Sequence, residues 1–100
     1  MKTERRDEPA GVRIVIQEDL DMHVAGELQT ALHGALQDKP KSLVVDLAGV
    51  GFIDSAGIAV IIESLKRARL ASITFRVENP SPQVKDTFEI AGLTKILGIA

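Results

Sequence analysis

Two alternations predict an α/β domain in which helices pack against a mixed β-sheet of about four strands. Short β-branched runs such as Ser42-Leu43-Val44-Val45-Asp46-Leu47 fit buried strands. The longer stretches between them repeat their apolar residues at helical spacing. A strand, helix, strand succession in one sheet closes right-handed, with its strands parallel.

In chain order, Met1 to Gly11 is dominated by charged residues before Pro9 and reads as a flexible, solvated tail, so the domain is expected over residues 12–100. Val12-Arg13-Ile14-Val15-Ile16 and Leu20-Asp21-Met22-His23-Val24-Ala25 read as two strands of an antiparallel hairpin around the polar turn Gln17-Glu18-Asp19. Leu28, Ala31, Leu32, Ala35 and Leu36 form the apolar stripe of a first helix, stopped near Asp38-Lys39-Pro40 because proline disfavours helical geometry in the residue before it. The strand at 42–47, a helix at 56–69 and the strand Ser72-Ile73-Thr74-Phe75-Arg76-Val77 make a βαβ unit. Along that helix Ile58, Ile61, Ile62, Leu65 and Ala68 share a face, and Lys66, Arg67 and Arg69 suit the negative end of its dipole. A third helix begins with Ser81 as cap and Pro82 at the first helical position, faces Val84, Phe88 and Ala91 inward, and ends where Gly92 supplies a left-handed residue. Leu93 to Ile99 is apolar enough to pack back on the body as a short helix.

One hundred residues, 45% apolar, suit a single core. The absence of cysteine excludes a disulfide framework, thiol chemistry and a cysteine zinc site. A net charge of −2 and three aromatics, all Phe, give no footprint for nucleic acid. No apolar run reaches the length of a membrane span, and the charged start lacks the apolar core of a signal peptide. A cytoplasmic protein with a protein partner and no cofactor is expected.

The richest stretch is Val50-Gly51-Phe52-Ile53-Asp54-Ser55-Ala56-Gly57-Ile58, which carries a serine from the end of a strand onto the first turn of a helix. Either Asp54 or Ser55 suits the N-cap, accepting from an unpaired amide of that turn. A phosphate on the serine would meet the helix dipole and free amides. Enzymatic readings fail on particular residues. A nucleophile elbow needs glycine where Ile53 stands, and Asp54 stands where a dinucleotide loop needs its third glycine. His23 and His33 have no partnering signature, and the acidic pairs Asp7 with Glu8 and Asp19 with Asp21 fall in the tail and a turn.

Asp54-Ser55-Ala56-Gly57-Ile58, between the strand ending Val45-Asp46-Leu47 and the helix running into Leu65-Lys66-Arg67-Ala68, resembles the phosphorylation loop of STAS domains. Val24-Ala25-Gly26-Glu27-Leu28 is similar to the family's Gly-Glu-Leu-Asp segment, and Asn79 through Leu93 to its third helix. The resemblance implies a single STAS-like domain and an anti-sigma-factor antagonist. Such a protein binds an anti-sigma factor with serine kinase activity while unphosphorylated, releases it when Ser55 is phosphorylated, and is reset by a serine phosphatase. It maps partner binding onto Gly26, Glu27, Gln29, Asp54, Ser55, Ala56 and Gly57. Gln29 then replaces a family aspartate near the phosphoserine. The alternative it implies is an accessory subunit of a lipid ABC transporter, or a scaffold, with no phosphorylation cycle.

Overall fold

The computed structural model describes residues 2–99. Seven elements follow one another: β1 (Thr3–Glu8), β2 (Gly11–Ile16), α1 (Ala25–Gln37), β3 (Ser42–Asp46), α2 (Ser55–Leu70), β4 (Thr74–Glu78) and α3 (Pro82–Ile90). The sheet order is β1-β2-β3-β4, with β1 antiparallel to β2 and the other neighbours parallel. The expected four-strand mixed sheet is present, and the βαβ unit pairs as predicted.

Strand alternation decides which face is covered. Val12, Ile14 and Ile16 of β2, Leu43 and Val45 of β3, and Phe75 and Val77 of β4 join Leu28, Leu32, Ala35, Ile61, Leu65 and Ala68 of the two long helices in one buried cluster. The intervening residues, among them Arg13, Val15, Val44, Asp46, Arg76 and Glu78, line the opposite face, which carries no helix among the described residues. There the Arg13 guanidinium donates to Asp46 at 3.0 Å and to Glu78 at 2.9 Å, tying three strands together. Hydrogen bonding to Glu78 holds the pKa of Arg13 above its ordinary value against the opposing effect of burial.

The sequence reading needs correction at both termini and in its first hairpin. The N-terminal tail is an edge strand: Thr3 to Glu8 pairs along its length with Ile16 to Gly11 around a turn at Pro9-Ala10. Every β1 residue is exposed, so composition alone could not separate it from a tail. Its charges also suit an edge, because they discourage pairing with another chain. The hairpin therefore joins β1 to β2. Leu20 to Ala25 is not its second strand; only Leu20 makes a bridge, and Ala25 already belongs to α1. β4 starts two residues later than predicted, after the left-handed Ser72. Ser81 caps α3 as expected, accepting from the Val84 amide at 3.2 Å with Pro82 in the first turn, and Gly92 takes a φ of 72°. Ala91 is exposed rather than inward. The closing segment forms turns, not a helix, and still packs back: Leu97 is fully buried and its carbonyl accepts from the Val77 amide at 3.3 Å.

Candidate phosphoacceptor and docking site

Two loops meet where the parallel strands β2 and β3 end, and the carboxyl ends of strands are where open α/β sheets place their ligand sites. The loop after β2 and the loop after β3 touch through the parallel bridge Leu20 to Ile53. The Leu20 amide donates to the Phe52 carbonyl at 2.9 Å, and the Asp54 amide donates to the Leu20 carbonyl at 3.0 Å. Beside the bridge, Asp19 Oδ1 accepts from the Gly51 amide at 3.0 Å. Leu20 and Ile53 are both buried, so the junction rests on the core.

Asp54 holds this junction and starts α2 with one carboxylate. Its backbone is extended, and Oδ1 accepts from the Ala56 amide at 2.9 Å and the Gly57 amide at 3.0 Å, the bonding of an N-cap. Oδ2 accepts from the Met22 amide of the other loop at 3.0 Å. Gly57 permits the close fit: a Cβ there would stand 2.9 Å from the Leu20 carbonyl oxygen and 3.0 Å from Ile53 Cγ1. Ser55 follows as the first helical residue and is exposed. Of the two cap candidates, the geometry assigns Asp54.

That assignment corrects the expectation of free amides for a phosphate. Two amides of the first turn already donate to Asp54, and the Ile58 amide makes its ordinary helical bond to the Asp54 carbonyl at 3.0 Å. A phosphate on Ser55 would therefore lie next to a carboxylate and meet fewer free amides than expected.

The other residues assigned by resemblance divide. Gly26 and Glu27 lie on the exposed first turn of α1, and Ala56 is half-buried on α2. Gln29 points elsewhere: its Nε2 lies 3.4 Å from Glu63 Oε1. Glu63 is eight residues beyond Ser55, about 12 Å along a helix axis. Gln29 therefore belongs to the seam between α1 and α2. The same Glu63 oxygen lies 3.3 Å from His33 Nε2 and 3.4 Å from Arg67 Nε. The His33 approach is close but not aligned for a hydrogen bond.

The stretch that leaves β2 and meets the serine loop is Gln17-Glu18-Asp19-Leu20-Asp21, whereas the segment likened to Gly-Glu-Leu-Asp, Gly26 to Gln29, lies in α1. Carboxylates are present on that neighbouring loop, on Glu18, Asp19 and Asp21. The available signal was position directly after β2. The reading also missed Met22 and Phe52, exposed by 70% and 46% on the two joined loops. Among the described residues no cluster of His, Asp and Glu is arranged to hold a metal, and no helix is long and apolar enough to cross a membrane.

Comparison with known proteins agrees with this architecture. An anti-sigma F factor antagonist from Lysinibacillus sphaericus is 24% identical over 76 residues, 75% of this chain and 65% of that protein, so the match spans just under two thirds of the relative. A crystal structure of an anti-sigma factor antagonist from Mycobacterium paratuberculosis superposes with a TM-score of 0.89 at 23% identity, covering 98% of this chain and 83% of the other. Unphosphorylated SpoIIAA gives 0.79 at 18% identity over 99% of both chains; its phosphorylated form, described as a Bacillus cell fate determinant, gives 0.73 at 19%, covering 94% and 86%. The STAS domain family model matches residues 2–100. The chain belongs to the STAS domain family.

Proposed function

We propose that this chain is a cytoplasmic anti-sigma-factor antagonist, switched by phosphorylation of Ser55. The observation that carries the reading is the exposed serine at the start of α2, held in place by a neighbour whose carboxylate is already committed to backbone amides. Relatives named as antagonists, and a structural neighbour solved in a phosphorylated form, support it.

The physical logic separates fold from signal. A phosphate adds about −1.5 to −2 charges, and at an exposed position water solvates it, so the domain persists. A partner docking over Ser55 must strip that water from a dianion beside Asp54, which costs several kcal/mol by order of magnitude. The unphosphorylated protein binds an anti-sigma factor that is also a serine kinase, the modified protein is released, and a serine phosphatase restores it. Asp54, Ser55, Ala56 and the first turn of α1 with Gly26 and Glu27 form the docking face; buried Gly57 positions it, and Gln29 lies outside it.

Incubation with the serine-kinase anti-sigma factor encoded in the same genome and ATP is expected to add one phosphate, mapped by mass spectrometry to Ser55 and absent from Ser55→Ala. Phosphate on Ser42, Ser64, Ser72 or Ser81, or none at all, overturns the proposal.

A further inference from the structure

Met22 and Phe52 are large apolar side chains left exposed on two different loops, and the bonds that join the loops bring them to one rim. Leu20 pairs with the Phe52 carbonyl and the Met22 amide with Asp54, so both residues lie within two positions of the bridge. Ser55 is three residues beyond Phe52. A single exposed apolar side chain such as Leu70 is ordinary; two beside one junction make a patch. Large apolar side chains inside a polar rim are the usual anchors of protein interfaces.

The charges on the two loops themselves are all of one sign, with Lys2 of the edge-strand end beside Glu18 as the neighbouring cationic residue. Residues 14–38 and 42–65 contain neither Lys nor Arg, whereas the two loops carry Glu18, Asp19, Asp21 and Asp54. All twelve cations of the chain lie outside those two stretches. A rim of carboxylates around two apolar side chains fits a partner surface of opposite sign.

Resting on the function proposed above, we infer that Met22 and Phe52 are the apolar anchors of the docking face, and that the anti-sigma partner receives them in an apolar socket ringed by Lys and Arg. Apolar anchoring sets how long the complex lasts, and the acidic rim sets how fast it forms. Increasing salt therefore slows association while leaving dissociation nearly constant.

The test measures association and dissociation rates of the anti-sigma factor from the same genome against wild type, Met22→Ala, Phe52→Ala and the remote control Leu70→Ala, which is 90% exposed in the wild type. Thermal melts of all four verify folding. Expected are tenfold or greater weakening for Phe52→Ala and for Met22→Ala, carried by dissociation, no change for Leu70→Ala, and an association rate that falls at least fivefold between 50 and 500 mM salt, an interval that shortens the Debye length from roughly 14 to 4 Å. Tight binding by wild type with Met22→Ala and Phe52→Ala within threefold of it overturns the anchors and leaves the proposed function standing. Association independent of salt overturns the basic ring. Failure of wild type to bind overturns the proposed function and this inference with it.

Discussion

Replacing Asp54 by Ala removes an acceptor from three backbone amides at once, those of Met22, Ala56 and Gly57. Loss of an N-cap costs about 0.5–2 kcal/mol. The bond to Met22 adds roughly 1 kcal/mol, below the usual range for a charged acceptor because water can reach that loop. The sum is about 1.5–3 kcal/mol, which in a domain of this size lowers the melting temperature by roughly 6–24 °C. Urea unfolding followed by far-UV circular dichroism measures it. Asp54→Asn keeps a capping oxygen and is expected to lose only about 1 kcal/mol. Ser55→Ala is expected within about 0.5 kcal/mol of wild type, since Ser55 is exposed and alanine favours helix. If Asp54→Ala is as stable as Ser55→Ala, the carboxylate does not join the two loops and the assignment of the cap fails.

Glycine substitutions in the two long helices should have opposite signs. Gly57→Ala forces a methyl group against the Leu20 carbonyl and is expected to destabilise by about 1–3 kcal/mol, whereas Gly34→Ala meets nothing within 4 Å and should stabilise by about 0.5–1 kcal/mol; equal effects in chemical denaturation would refute the close approach. Ser64 is fully buried and its hydroxyl finds no partner among the described residues, so Ser64→Ala should leave stability unchanged or raise it by up to about 1 kcal/mol, and any clear loss of stability would reveal a bond to the hydroxyl. Arg13→Met leaves Asp46 and Glu78 without their cation and should cost about 1–3 kcal/mol by calorimetry, with a loss below about 0.5 kcal/mol counting against the three-strand tie.

Elements with strong local signals were readable from sequence because several rules pointed the same way. Ser81-Pro82 opens α3, Gly92 turns left-handed after it, and the buried stripe of α1 contains Leu28, Leu32, Ala35 and Leu36 as spaced. Where the pattern failed, tertiary context decided. β1 has no buried side chain and exists through its ladder to β2, which a search for apolar alternation does not detect. Leu20 alternates like a strand residue but is buried by a bridge to Ile53, 33 positions away.

The site divides in the same way. Asp54-Ser55 was identifiable because caps and helix starts are local. The Met22 contact and the loop partner Asp19 depend on contacts between residues more than thirty positions apart. Gln29 was placed by likeness of a short segment, and the start of α1 at Ala25 moves it to the helix seam beside Glu63.

The most direct measurement compares the affinity of the same anti-sigma factor for the unmodified domain and for the domain carrying a stoichiometric phosphate on Ser55, with melting temperatures recorded on both. The account predicts affinity at least tenfold weaker, about 1.4 kcal/mol, with melting temperatures within a few degrees of each other. Equal affinities would contradict the switch, and a phosphorylated domain that has unfolded would show that Ser55 serves the fold instead of the signal.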